Sequence, residues 1–124
     1  IVNEELTITE SNIDTHLLEQ GKKYAKWALQ LAFLKAEYER KKLELQSLEA
    51  TLGKEYRNKL TKVTEKAIEE AVMADERWIQ ANKEVIDIKE ELLVVESIVT
   101  ALTHKKEMLT NYVNLTKTRS FKNG

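Results

Sequence analysis

Apolar residues recur every three or four positions along two long stretches of the chain. In the first, Trp27 is followed at this spacing by Leu31, Leu34, Tyr38, Lys41, Leu45, Leu48 and Leu52. In the second, Val85 is followed by Ile88, Leu92, Val95, Val99, Leu102, Lys106, Leu109 and Val113. This spacing keeps side chains on one face of an α-helix. The pattern therefore predicts two long helices, the second with a coiled-coil-like seam.

Capping residues indicate where the first helix begins and ends. Residues 1–10 show only weak alternation, and capping residues follow them at Ser11 and Asn12. We therefore expect an extended arm over 1–10 and a long, basic-faced helix over 11–53. Gly53 follows the last residue of the apolar stripe, which is a common place for a helix to end.

The middle of the chain predicts a break between the two long helices. Residues 54–63 are polar, basic and poorly periodic, which is typical of a loop. Thr64 is positioned to cap a short helix, and Asp75 offers a second cap at a kink. We therefore expect, in chain order, a polar loop and short helix over 54–74, a long oligomerisation helix over 75–117 and a basic tail over 118–124.

The last helix carries a second apolar series beside the first. Its members are Val94, Ile98, Ala101, Lys105, Met108, Tyr112 and Leu115. One partner helix cannot cover so broad an arc, and a long exposed apolar stripe is a liability in a monomer. We therefore expect a homo-oligomer. The predicted interface comprises Leu92, Val95, Ile98, Val99, Leu102, Leu109, Tyr112, Val113 and Phe121.

Composition narrows the fold class. The 124 residues include no proline, no cysteine and three glycines, whereas an all-β domain needs many more turn residues. We expect a single all-α domain whose long helices form a hairpin or bundle. Absent cysteine fits a reducing compartment, so a cytoplasmic protein is the default expectation. No apolar run approaches the roughly 20 residues of a spanning helix, so we expect no membrane partner.

Signatures of catalysis are missing from the sequence. The three glycines are too far apart for a phosphate-binding loop. His16 and His104 are alone in their segments and belong to no His-x-x-x-His or Glu-x-x-His ligand pair, so both are predicted to be surface histidines. We expect no metal, no cofactor and no enzymatic activity.

Charge is segregated along the chain although the net charge is only -1. Residues 22–66 hold twelve Lys or Arg against six acids, and residues 67–104 hold three against nine. The basic block also contains most of the aromatic rings, as in proteins that bind single strands through cations on phosphates and rings on bases. Lysines for solubility and rings packed in the core are the other interpretation. Tyr56 lies off the stripe, so we expect its ring to be free.

Three short motifs occur in a recognisable order. They are Tyr24-Ala-Lys-Trp27, Val72-Met-Ala-Asp75 and Arg119-Ser-Phe121. From about Ile13 to Phe121 the chain resembles the UvsY family, the recombination mediators of T-even-like phages. The resemblance implies a helical, ring-like homo-oligomer that binds single-stranded DNA. It also implies a role in loading a RecA-like recombinase against single-strand-binding protein, in the cytoplasm of an infected bacterial host.

The resemblance places DNA contacts just after the first long helix, at Lys54, Arg57 and Lys59. This chain has Ala50, Thr51 and Leu52 where the family leads us to expect basic residues, which shifts the expected surface toward Lys41 and Lys42. The full predicted contact set is Lys41, Lys42, Lys54, Tyr56, Arg57, Lys59 and Lys62. A structural or adaptor coiled coil without affinity for nucleic acid is the alternative, because it explains the heptads and charge blocks equally well.

Overall fold

The described residues form three helices. A computed structural model describes residues 13–61 and 63–123, with side chains over 14–61 and 63–117. Helix α1 covers Ile13–Lys59, α2 covers Glu65–Ala74 and α3 covers Glu76–Asn123, and no strand occurs in these residues. The predicted all-α class is confirmed. The predicted extended arm over 1–10 lies outside the described residues.

Helix α1 does not end at Gly53, so that predicted boundary is wrong. It continues to Lys59, and Gly53 has no positive φ. Tyr56 and Leu60 follow Leu52 at four-residue spacing and pack against the buried cluster that contains Leu52. This packing outweighs the cost of about 1 kcal/mol for glycine inside a helix. The predicted loop over 54–63 is therefore shortened at its N-terminal side.

Both predicted caps of the middle region are confirmed. The Thr64 hydroxyl accepts a hydrogen bond from the backbone N–H of Ala67 at 3.1 Å, which caps α2. Asp75 has extended backbone angles, and its carboxylate accepts the backbone N–H of Arg77 at 2.8 Å, which caps α3. Helix α3 reaches Asn123, so the predicted basic tail over 118–124 is helical up to that residue.

Contacts divide the chain into two compact units, each built from parts of α1 and α3. Among the described residues, the first joins 13–31 with 95–123, and the second comprises 32–61 and 63–94. In the second unit, Leu52, Ile68 and Val72 are buried, with Leu48, Tyr56, Leu60 and Trp78 packed against them. Small helix α2 thereby completes the core of this unit.

Both apolar and polar side chains are buried in the first unit. Val95 and Leu109 are buried, and so are His16 and Gln20. The Gln20 amide donates a hydrogen bond to the backbone carbonyl of Leu102. A buried polar contact of this kind favours one register of two packed helices over others.

Candidate nucleic-acid interface

The predicted DNA contacts centre on the place where α1 ends and α2 begins, within the second unit. Leu52 anchors this region because its side chain is fully buried against Ile68 and Val72. The last two turns of α1 are thereby fixed beside α2, with their polar side chains directed to solvent. Local helix formation and core packing together set the position of the cations at the end of α1.

A polar network joins the end of α1 to the start of α3. The Arg77 guanidinium donates to Glu55 at 2.8 Å and to Asp75 at 2.9 Å. The Tyr56 hydroxyl donates to the Asp75 carboxylate at 2.7 Å. The Asp75 side chain is only 9% exposed. This carboxylate therefore caps α3 and at the same time connects it to α1.

The network shifts the pKa values of its members. Hydrogen bonds from Arg77, and then from Tyr56, hold the pKa of Asp75 well below its usual range. The bond to Arg77 lowers the pKa of Glu55 in the same way. Donation to the Asp75 carboxylate raises the pKa of Tyr56. These three groups are thus held in the protonation states that they have at neutral pH.

The expectation of a free Tyr56 ring is wrong. The residue is half-buried, packs against the core cluster and donates its hydroxyl to Asp75. It continues the apolar stripe of α1 by one more four-residue step beyond Leu52. Stacking of a nucleic-acid base on Tyr56 would require breaking this packing. The ring therefore stabilises the contact between the end of α1 and the start of α3.

Lys41 and Lys42 are already engaged within the chain. Lys41 contacts Glu84 of α3 at 3.3 Å and Glu44 at 3.5 Å, and the bond to Glu84 is the main reason for its raised pKa. Lys42 lies 3.7 Å from Glu39 and 5.0 Å from the centre of the Tyr38 ring. Both cations therefore have anionic or aromatic partners that DNA would have to displace.

The other predicted cations are more accessible. Lys54, Arg57 and Lys59 are all exposed on the last turns of α1. Arg57 pairs with Glu65 at 2.9 Å, and Lys59 lies 5.8 Å from the centre of the Tyr56 ring. The side chain of Lys54 forms no hydrogen bond or ion pair with the described residues. Lys62 lies outside them.

Lys66 was not among the predicted contacts, although it belongs to the basic block. It is exposed on the first turn of α2, next in the chain to Glu65. Glu55 and Glu65 are bound to Arg77 and Arg57, whereas Glu69 and Glu70, one turn after Lys66 on α2, are exposed and pair with no arginine of the described residues. We call Lys54, Arg57, Lys59 and Lys66 the basic corner. Three of these four cations form no salt bridge with the described residues, although Lys59 is close enough to Glu55 to lower the pKa of that carboxyl.

A groove opens beside the basic corner between α1 and α2. It has a volume of about 510 Å³. Ala50, Gly53, Ile68, Val72, Met73 and Trp78 supply its apolar lining, and Lys54 and Arg57 also line it. Three acids, Glu49, Glu65 and Glu69, also line it. The groove is therefore mixed in charge, and the positive surface is the corner itself.

Most rings of the basic block are partly covered by lysines of the same chain. Lys26 lies 5.5 Å from the centre of the Trp27 ring, Lys106 lies 5.8 Å from that of Tyr24, and Lys89 lies 5.0 Å from that of Tyr38. Phe33 differs because its side chain is 70% exposed. Its place between the stripe positions Leu31 and Leu34 was the sequence signal for this exposure.

The predicted oligomer interface is divided between buried and half-buried positions. Leu92, Val95 and Leu109 are buried within one chain. The half-buried members are Ile98, Val99, Leu102, Tyr112 and Val113, and the side chain of Phe121 is outside the described set. Val94, Met108 and Leu115 of the second apolar series are 60%, 49% and 51% exposed. The fold of one chain therefore leaves part of the predicted broad arc uncovered.

Of the two histidines predicted to lie on the surface, His104 does and His16 does not. His104 is exposed, but His16 is 8% exposed and buried in the first unit. The physical reason is its spacing, because His16 and Gln20 extend the apolar stripe of α1 backward by steps of four. Within the described residues, no three His, Asp or Glu side chains are grouped to hold a metal ion.

Comparison with known proteins adds no family assignment. No protein-family model matches the chain, and no curated protein or solved structure is significantly similar to it. Among the described helices, none is long and apolar enough to cross a membrane. Inference about function therefore rests on the residues, their arrangement and the resemblance noted in the sequence.

Proposed function

We propose that the protein is a homo-oligomeric, single-stranded-DNA-binding recombination mediator that helps a RecA-like recombinase replace single-strand-binding protein. The observation that carries the proposal is the basic corner of Lys54, Arg57, Lys59 and Lys66. Its cations are exposed, and two of the nearby acids, Glu55 and Glu65, are bound to arginines. Such a surface attracts phosphates, and it occupies the region to which the UvsY resemblance assigns DNA contact.

Assembly would make this small surface effective. One corner offers only a few phosphate contacts, and each exposed charge contributes modestly to affinity. Several corners in one ring bind a single strand together, because linked sites act at high effective concentration. The proposed homo-oligomer and the proposed DNA binding therefore support each other.

The alternative is a structural or adaptor coiled coil. Arg57 and Lys59 lie in the last turn of α1, where cations stabilise a helix by interacting with its dipole. Rings packed on lysines and on the core also fit a purely structural role. A recombinase assay distinguishes the two functions.

In that assay, a RecA-like phage recombinase is added to single-stranded DNA that is already covered by the single-strand-binding protein of the same phage. Adding this protein should raise the rate of ATP hydrolysis by the recombinase, because more recombinase reaches the strand. Substituting Lys54, Arg57 and Lys59 together with alanine should remove most of the increase.

A triple alanine variant at Lys22, Lys26 and Lys35 is the matched control. It removes the same charge from exposed positions of α1 outside the basic corner, and it should retain the stimulation. If the wild-type protein gives no stimulation, the adaptor function is favoured. Equal loss in both triple variants would show that total charge matters and that the corner is not the contact site.

A further inference from the structure

The groove between α1 and α2 shares two of its lining residues with the basic corner. Lys54 and Arg57 line the groove, and both are exposed on the last turns of α1. Arg57 pairs with Glu65 at 2.9 Å, but the two side chains are 55% and 78% exposed, and exposed pairs of this kind are weak. A phosphate bound by these two cations would therefore hold the rest of its nucleotide at the groove.

The groove has the size and the lining of a site for a flat, partly apolar group. Its volume of about 510 Å³ lies within the roughly 300–1,000 Å³ of ordinary small-molecule sites. Ile68 and Val72 line it with buried aliphatic side chains. Trp78 adds an aromatic ring, and its indole N–H donates to Glu49 at 3.0 Å, which orients the ring. Nucleobases bind well to such surfaces because every base has a π-face.

Gly53 keeps the α1 side of the groove open. It lies inside α1 without a positive φ, and a Cβ at this position would meet no atom within 4 Å. Neither the backbone conformation nor crowding within the chain therefore requires glycine here, although glycine destabilises a helix relative to alanine. A ligand that approaches the helix backbone closely would use this space.

Glu69 is the carboxylate of the groove that is available to a ligand. Glu65 is paired with Arg57, and Glu49 accepts the Trp78 N–H. Glu69 is exposed, and none of the ion pairs of the described residues includes it. A carboxylate accepts hydrogen bonds but cannot donate them, and the N4 amino group of cytosine is a typical donor to it. Thymine has a carbonyl oxygen at the same position, so a base beside Glu69 would be favoured as cytosine.

We propose that this groove binds one base of the single strand whose phosphates the basic corner holds, and that it prefers cytosine to thymine. The proposal rests on the DNA binding of the proposed function and adds a base-binding site to it. The base would lie against the apolar lining and donate from its amino group to Glu69. The phosphates on either side would contact Lys54 and Arg57. An acid beside the cations is then useful, because it contacts the base and not the phosphate.

The two pyrimidines allow a direct test, because they are similar in size. Fluorescence anisotropy compares labelled strands of about 12 cytosines and about 12 thymines, at about pH 8, where cytosine is not protonated. We expect the wild type to bind the cytosine strand about 2- to 10-fold more tightly, the range that one hydrogen bond supplies. Gly53→Leu fills the groove without changing any charge and should bring this ratio close to one.

Gly21→Leu is the matched control for Gly53→Leu. Gly21 also lies inside α1, and a Cβ there would also meet no atom within 4 Å, but it belongs to the first unit. This variant should retain the wild-type ratio. Because both positions have space for a side chain, both variants should fold, and circular dichroism should show wild-type helix content.

Glu69→Gln tests the hydrogen bond separately. The glutamine amide can also donate to thymine, so this variant should bind the two strands with similar affinity. Glu70→Gln removes the same charge from the next residue of α2, which is exposed and is not among the residues that line the groove. It should therefore keep the wild-type ratio.

Several results would overturn the proposal. Equal binding of the two strands by the wild type, or a ratio unchanged in Gly53→Leu or Glu69→Gln, would refute base binding in the groove and leave the DNA-binding proposal standing. Absence of binding to either strand would refute both proposals. If Gly53→Leu kept the ratio but sedimented differently from the wild type without DNA, the groove would bind a second copy of the chain instead of a base.

Discussion

Replacing Leu52 with alanine should lower the free energy of unfolding by about 3 kcal/mol. The side chain is fully buried and contacts Ile68 and Val72 of α2, so its removal leaves a cavity where α1 and α2 meet. Few side chains of the described chain are fully buried, so little surrounding core is available to collapse into the space. A loss of this size is a large part of the stability of an ordinary small domain.

Urea unfolding followed by circular dichroism measures this loss. Leu29→Ala is the control, because the same side chain on the same helix is 63% exposed there, and it should change stability by less than about 0.5 kcal/mol. Similar small effects of both substitutions would contradict the proposed role of Leu52. A large effect confined to Leu52→Ala would identify the α1–α2 contact as the main core of the second unit.

Asp75→Asn should destabilise the protein at neutral pH and make its stability less dependent on pH in acid. The carboxylate accepts hydrogen bonds from Tyr56, from the Arg77 guanidinium and from the Arg77 backbone. Asparagine keeps the cap but loses the charge, which weakens the bonds to Arg77 and Tyr56.

The direction of the pH dependence follows from the lowered pKa of Asp75 in the folded protein. The contribution of Asp75 to the free energy of unfolding is complete above the pKa of an unfolded aspartate, about 4. It is lost as the pH falls toward the lower pKa that Asp75 has in the folded protein. Melting temperatures of wild type and Asp75→Asn should therefore differ most at pH 7 and converge as the pH falls below about 4.

Glu107→Gln is the control for this comparison. Glu107 is an exposed residue of α3 in the first unit and forms no ion pair with the described residues. Its substitution should leave the shape of the wild-type pH profile unchanged. A difference between wild type and Asp75→Asn that stays constant from pH 7 to pH 2 would mean that the Asp75 charge does not stabilise the fold.

Helices and caps could be predicted because they depend on nearby residues. Thr64 and Asp75 cap through bonds to residues two or three positions away, so the sequence contains the whole motif. Gly53 predicts the wrong end for α1, because Tyr56 and Leu60 continue the four-residue spacing of Leu52 beyond it. The packing that keeps this segment helical comes from Ile68 and Val72 of α2. A contact between two separate helices cannot be inferred from the apolar spacing of one of them.

The charges of the candidate site could be counted from the sequence, but their pairing could not. Lys41 meets Glu84 across 43 positions, and Arg57 meets Glu65 only because the chain turns between α1 and α2. These contacts decide which cations are available to a ligand. Burial of His16, in contrast, was predictable, because its four-residue steps to Gln20 and Tyr24 extend the stripe of α1.

The measurement that tests the central claim most directly is fluorescence anisotropy of a labelled single-stranded oligonucleotide titrated with the wild-type protein. A duplex of equal length is the control, and salt is varied from about 50 to 300 mM. We expect tight binding that favours the single strand. Its log affinity should fall with log salt by about 0.7 for each phosphate neutralised. Absence of binding at the lowest salt would contradict the account and leave a structural coiled coil.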